Sequence, residues 1–268
     1  MDNNVLIARA ALHRWEEPII SGVNGSGTIF FSGCSLGCVF CQNREISRGG
    51  KGKPVSADRL AEIMFELREK GAHNINLVTP THFAPTVKDA IVIAKKNRLS
   101  LPIVYNTSSY DTPETLKMFE GLVDIYLPDF KYYLPETARK FSFAENYPET
   151  AKAAIAEMVR QRPTPILKDG IMTSGVIVRI LLLPRHVAEA KLSVKYIYDT
   201  YGDRVYISLM SQYTPVGEVA PPLNRRVTHA EYSELVEYAE KLGVKNGFTQ
   251  EYASAQKSFI PSFDNTGV

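Results

Sequence analysis

The chain of 268 residues has three cysteines, and all three fall in one short stretch, FFSGCSLGCVFCQN, as Cys34, Cys38 and Cys41. Their spacing is C-x3-C-x2-C. Thiols gathered this closely point to metal binding or redox work. A structural disulfide would leave one thiol spare and does not suit a reducing compartment. Three cysteines cannot complete an all-cysteine tetrahedral zinc site, and the loop offers no histidine as fourth ligand. A zinc ion would have to borrow His13, His82 or a distant carboxylate. Three thiolates do suit an iron–sulfur cube in which one iron stays open to an outside ligand.

A loop of this kind needs rigid elements to present it. The apolar run Thr28–Ser32 reads as the strand that leads into it, and Gly33 and Gly37 let the loop wrap closely. A Gly-rich link, Gly49–Lys53, follows. Then SADRLAEIMFELREKG reads as a helix. Ser56 is its N-cap, Leu60, Ile63, Met64 and Leu67 form one stripe, and Gly71 stops it. The alternation repeats. Strands are expected in INLVTP, LPIVYNT, LVDIYLPDF, GVIVRILLLP and VYISLM. Helices are expected over Pro85–Lys96, Thr112–Phe119, Pro135–Phe141, Pro148–Gln161, His186–Tyr201 and His229–Leu242. Strands this continuously apolar are parallel strands covered on both faces. Two α/β architectures are open, a doubly wound open sheet and an incomplete (β/α) barrel, and the lack of a Gly-rich dinucleotide fingerprint after the first strand lowers the first. The chain reads as a single domain over 1–268, with an N-terminal extension over 1–26 and a C-terminal tail over 248–268.

Bulk properties narrow the function classes. The composition, 44% hydrophobic and 22% charged, is that of a globular protein. A net charge of +2 gives no argument for nucleic acid or an anionic membrane as partner. No run approaches the roughly 18 apolar residues of a membrane span. The stretch MDNNVLIARAALHRWEEP lacks the marks of a secretory signal, so a cytoplasmic protein is expected.

Active sites of such folds lie at the carboxyl ends of the strands, where this chain places polar residues. Thr79-Pro80-Thr81-His82 could simply be a helix cap and loop, and Asn106–Asp111 a turn. Asp129 and Lys131 are two residues apart and project from one face, either as a structural salt bridge or as pocket residues. Arg179 shares a strand face with Ile177 and Leu181, and its guanidinium must find acceptors; Asp129 is a candidate. His13 and Trp15 read as packing residues.

The cysteine spacing, with the aromatic Phe40 before the last cysteine, resembles the radical S-adenosylmethionine enzymes. Further stretches, LHRWEEPIISG, VTPTHF, LPDFKY, SQYTP and NGFTQE, resemble the branch of pyruvate formate-lyase activating enzyme-like proteins. The resemblance covers nearly the whole chain and implies an α/β fold of partial (β/α)6 TIM-like barrel type. It implies that Cys34, Cys38 and Cys41 hold a [4Fe–4S] cluster and that S-adenosylmethionine chelates the fourth iron. One electron would then yield methionine and a 5′-deoxyadenosyl radical. It further implies that Phe40 lines the ligand side, and that Asn106 lies near the ribose or methionine part of the ligand. Asp129 and Lys131 would belong to the ligand and substrate pocket. Arg179 would pair with the ligand carboxylate, and Gln212 or Tyr213 would meet the adenine. Two departures stand out. Thr79, Thr81 and His82 occupy the place of a Gly-Gly-Glu segment, so hydroxyls and carbonyls would receive the ligand's ammonium and His82 would face substrate. Gly37 stands where that branch carries a basic residue.

The leading expectation is therefore an anaerobic oxidoreductase that activates a glycyl radical enzyme by removing a glycine hydrogen, with flavodoxin or ferredoxin as reductant and a monomeric chain. Radical chemistry on a small molecule or another peptide is the alternative. A passive iron–sulfur or structural metal protein is the third reading.

Overall fold

Side chains alternate along each strand, and that period gives the central sheet two unlike faces. The computed structural model describes residues 4–48, 50–249 and 261–268. Its strands are β1 (Val5–His13), β2 (Ser26–Phe31), β3 (Lys53–Val55), β4 (Ile75–Val78), β5 (Ile103–Thr107), β6 (Ile125–Pro128), β7 (Ile166–Lys168), β8 (Ile171–Leu181), β9 (Tyr206–Met210) and β10 (Gly247–Thr249). Its helices are α1 (Pro18–Ser21), α2 (Arg44–Ser47), α3 (Ala57–Glu69), α4 (Ala84–Lys96), α5 (Pro113–Lys117), α6 (Pro135–Ser142), α7 (Tyr147–Gln161), α8 (Val187–Tyr201) and α9 (His229–Leu242). The sheet runs β10-β9-β8-β6-β5-β4-β2-β1-β3 and is not closed. From β2 to β10 every pairing is parallel. All six expected strands are present in this partial barrel. The N-terminal extension adds β1, antiparallel to both β2 and β3, and β7 forms a hairpin with β8. The expected caps form, with Ser56 Oγ accepting from Arg59 N and Thr112 Oγ1 from Thr115 N, each at 3.2 Å.

The outward strand positions, among them Ile75, Leu77, Tyr105, Tyr126, Val178 and Ile207, pack under the helices as the main core. The inward positions differ with depth. At the amino end of the strands Val104, Ile125, Leu127 and Ile177 enclose Ile20 of α1, which is fully buried. The N-terminal extension is thus a plug as well as a strand between β2 and β3. One step further along the strands the inward residues turn polar: Asn76, Asn106, Asp129, Arg179 and Ser208. An apolar base under a polar layer is the setting the site is built on.

The expected tail is also partly structured. Residues 261–268 lie along β1, with Ala10 N donating to Thr266 O (2.9 Å) and Asn265 N to Ala8 O (3.0 Å). Arg9 pairs with Asp264 at 3.0 Å, and Phe263 meets Phe30 edge-on at 5.5 Å. Gly49 of the expected link and residues 250–260 of the expected tail lie outside the described residues.

Because Ile20 fills a closed apolar space that its surroundings cannot collapse into, Ile20→Ala should cost about 2–5 kcal/mol of stability. Chemical denaturation checks this, as a lower midpoint at unchanged slope.

Candidate active site

The cysteine loop leaves β2 through Gly33, which sits at φ +94°, where a side chain would meet the His82 ring. His82 Nε2 lies 2.6 Å from Ser32 O, so the imidazole braces the start of the loop. The far side is held by the end of α6. Gly37 N donates to Ser142 O (3.3 Å), Val39 N to Phe141 O (2.9 Å), and Ser142 Oγ donates to Cys38 Sγ (2.9 Å). Gly37 has no room for a Cβ, which would strike Arg48 and Phe143. The Arg48 guanidinium donates to the Gly37 carbonyl, so positive charge reaches this point from α2's end rather than from position 37 itself.

All three thiols are free and partly buried. Burial pushes the Cys34 thiol up to about 11 despite the hydrogen bond it accepts from Leu36 N, and burial pushes Cys38 up as well. Metal must therefore displace protons to bind here. Among the described residues no three His, Cys, Asp or Glu side chains converge on one metal ion. Thiols spread around a loop suit a cube, whose ligands sit on separate irons, better than a single zinc ion.

The loop borders a cavity of about 260 Å³ at the carboxyl ends of the strands. Its charged floor centres on Arg179. Nε donates to Asp129 Oδ1 (2.7 Å), Nη1 to Glu16 Oε2 (3.3 Å) and Nη2 to Asn106 Oδ1 (2.6 Å). Lys131 Nζ donates to Asp129 Oδ2 at 2.6 Å. Asn76 Nδ2 donates to Glu16 Oε1 at 3.0 Å, leaving Asn76 Oδ1 buried without a hydrogen-bond partner. Glu17 lies beside them and its Oε2 likewise lacks a partner. Three carboxylates thus face two cations. Burial alone would raise the Asp129 carboxyl, but Arg179 and Lys131 outweigh it and hold its pKa low. For Glu16 burial wins, only partly offset by Arg179 and Asn76, and its pKa rises; Glu17 behaves the same way. Burial disfavours the charge on Arg179 and Lys131, yet Asp129 outweighs it and both pKa values rise.

Phe40, Thr79, Asn106, Asp129, Lys131, Arg179, Gln212 and Tyr213 line this cavity with the three cysteines. Thr79 holds φ +59°, a rare conformation for a β-branched residue that costs about 1–3 kcal/mol and persists because its N–H is pinned to Asn106 O at 2.8 Å. Tyr213 offers only its ring, set edge-on to Phe40 at 5.8 Å, because its hydroxyl donates to Leu223 O (2.6 Å). Two expectations are corrected. Thr81 does not reach the cavity, because its hydroxyl donates to the buried Asp111 at 2.7 Å. His82 does not reach it either; the turn over Thr81–Phe83 aims the ring at the loop backbone. His13 and Trp15, read as packing residues, do line the cavity. Burial and Arg9 keep the His13 pKa below its usual value. The residues missed altogether are Glu16 and Glu17. Two adjacent carboxylates directly before a proline and two isoleucines were the available signal, since such a segment must either face water or bring its charge inside.

The raised Glu16 pKa has a definite sign in stability. The folded chain keeps this proton to a higher pH than the unfolded chain, whose value is near 4.5. The associated stability is complete below that value and is lost as pH rises through the folded pKa. Asp129 acts in the opposite sense, through stability lost on acidification below about 3.8. Glu16→Gln should therefore gain on the wild type as pH rises above the unfolded value near 4.5. Denaturation of both proteins across that range checks this; a gap independent of pH would show that Glu16 does not titrate there.

Comparison with known proteins bears on this site. The family model described as the radical SAM superfamily matches residues 28–175, more than half of the chain. The uncharacterized protein MJ0674 of Methanocaldococcus jannaschii is 31% identical over 241 residues, covering 86% of this chain and 65% of that protein. The fold is similar to that of Streptococcus suis SuiB. The SuiB structure bound to S-adenosylmethionine gives a TM-score of 0.56 at 10% identity, over 82% of this chain and 48% of SuiB. The SuiB structure bound to its precursor peptide SuiA gives 0.56 at 10% identity, over 82% and 47%. The chain thus spans under two thirds of MJ0674 and about half of SuiB, and at such identity SuiB speaks for the fold alone. Three thiols beside a cavity, the parallel sheet and the family match agree: the chain belongs to the radical SAM superfamily, enzymes that work with a [4Fe–4S] cluster and S-adenosylmethionine.

Proposed function

We propose that the cysteine-bordered cavity is where the cluster and S-adenosylmethionine meet, and that the chain removes a hydrogen atom from a glycine in a partner enzyme. When bound, these cofactors supply a 5′-deoxyadenosyl radical by one-electron cleavage of the sulfonium C–S bond, and the protein's share is binding, orientation and exclusion of water. The observation that carries the reading is the placement of all three of the chain's cysteines, as free thiols, beside a cavity with an ionic floor.

Cys34, Cys38 and Cys41 would hold three irons. Arg179 has spent three of its five N–H groups on Asp129, Glu16 and Asn106, which leaves two for the ligand's carboxylate. Glu16, which lines the cavity, would receive an ammonium, the group that the Thr81 hydroxyl, held by Asp111, does not reach. The Phe40 and Tyr213 rings and Gln212 would flank the adenine. Lys131, with its charge fixed by Asp129, would stand at the substrate side. Trp15 and His13 also line the cavity. The motifs shared with the activating-enzyme branch support glycine as the target and a flavodoxin or ferredoxin as reductant. The precursor peptide bound to the fold relative SuiB supports a second reading, another peptide as substrate.

Anaerobic reconstitution, reduction and addition of S-adenosylmethionine test the first part. Wild type should release 5′-deoxyadenosine, and Cys34→Ala, Cys38→Ala or Cys41→Ala should lower it to background. A wild type that carries a complete cluster and yet cleaves nothing would sink the reading. Electron paramagnetic resonance on a candidate glycyl radical enzyme then separates the substrates, since a glycine radical must appear on the partner.

A further inference from the structure

We infer that Ser142 and Tyr132 tune the reduction potential of the cluster through the Cys38 sulfur; this rests on Cys38 being a cluster ligand. Ser142 is the last residue of α6 and is buried at 2% exposure, and its Oγ lies 2.9 Å from Cys38 Sγ. Tyr132 is fully buried, with Oη 2.6 Å from Ser142 Oγ. A serine hydroxyl has one proton. Donated to sulfur, it leaves the Ser142 oxygen as acceptor, so Tyr132 must be the donor between the two. The chain Tyr132–Ser142–Cys38 therefore runs one way, with each hydroxyl polarising the next.

The geometry is held independently of the sulfur. Gly37 N and Val39 N donate to the carbonyls of Ser142 and Phe141, on either side of Cys38. The α6 helix ends at Phe143, whose φ of +57° turns the chain away, and Phe143 N still donates to Arg139 O at 3.1 Å. Tyr132 is packed edge-on against Tyr147 at 5.3 Å. The hydroxyl pair therefore has a fixed aim at one sulfur, whether or not iron is present.

Reduction adds one negative charge to a cluster, and part of it resides on the thiolate sulfurs. A donor pointed at one of them stabilises the reduced state more than the oxidised state and raises the potential. Ser142 and Tyr132 are thus positioning residues that make the cluster easier to reduce. The active-site cavity is lined by neither of them, so they need not touch substrate.

The test is a redox titration of reconstituted protein followed by visible absorption and electron paramagnetic resonance, with iron content and thermal melting measured on the same samples. Ser142→Ala should shift the midpoint to more negative values, Tyr132→Phe should shift it the same way by less, and Ser142→Thr, which keeps the hydroxyl, should restore it. Resonance Raman in heavy water gives a second readout. The iron–sulfur(cysteine) bands of wild type should shift on exchange, and Ser142→Ala should remove part of that shift. A midpoint and exchange shift equal to wild type in a Ser142→Ala protein with full iron content overturns the inference. Should Ser142→Ala fail to fold or load iron, an unshifted midpoint in Tyr132→Phe overturns it. A wild type that binds no four-iron cluster overturns instead the ligand assignment beneath it.

Discussion

A guanidinium inside an apolar sheet has to be met on several sides, and the partners of Arg179 tie together parts of the chain that are far apart. Asp129 comes from the end of β6, Asn106 from β5 and Glu16 from the segment before α1. Removing one partner of such a set leaves a buried charge uncompensated, a loss of about 3–5 kcal/mol. This gives the N-terminal segment a reason to enter the barrel rather than lie on its surface. Once Glu16 is drawn to Arg179, Pro18–Ser21 follows it inward, and Ile20 closes the apolar base. The strand β1, immediately before that segment, is then held against β2. An ionic contact at the floor thus bears on the path of the chain from β1 through α1.

The same floor is unbalanced, and the imbalance bears on chemistry. Two cations answer three carboxylates, and Glu16 and Glu17 respond by holding protons more tightly than usual. A site built only for stability would place hydrophobic groups here, since these are often the more stable choice. Instead Glu16, Asp129, Lys131 and Arg179 all line the cavity. On the proposed reading, a zwitterionic ligand would set its ammonium toward Glu16 and its carboxylate toward Arg179.

Much of this was legible in the sequence, for reasons that can be named. Parallel strands buried on both faces read as apolar runs, so β2, β4, β5, β6, β8 and β9 stood out. Asp129, Lys131 and Arg179 stood out because charge in or beside such a run needs a partner, and Asp129 does partner both. The strand β1 was not legible because it pairs antiparallel with both its neighbours, outside the strand–helix alternation, and mixes Arg9 with small residues. Glu16 and Glu17 escaped because their burial depends on a residue more than 160 positions away, which no local pattern reports. His82 was misread for a related reason. A polar residue after a strand has two directions open to it, and the left-handed turn at Thr79 sends the following residues behind the loop instead of into the cavity.

Gly37 shows how far a departure from an expected pattern can be repaired by its surroundings. A basic side chain at that position would lie against α6, but here Arg48 and Phe143 already fill the space. The guanidinium of Arg48 donates to the Gly37 carbonyl, while α6 binds residues 37 and 39 from the other side and His82 braces Ser32 at the loop's start. The loop is therefore fixed by three contacts that involve no metal. A cluster bound by these thiols would spend less of its binding energy on ordering the chain, and at Cys34 and Cys38 it would meet sulfurs that already accept hydrogen bonds. The economy of three adjacent cysteines is thus possible because the neighbours of the loop, rather than its own residues, hold its shape.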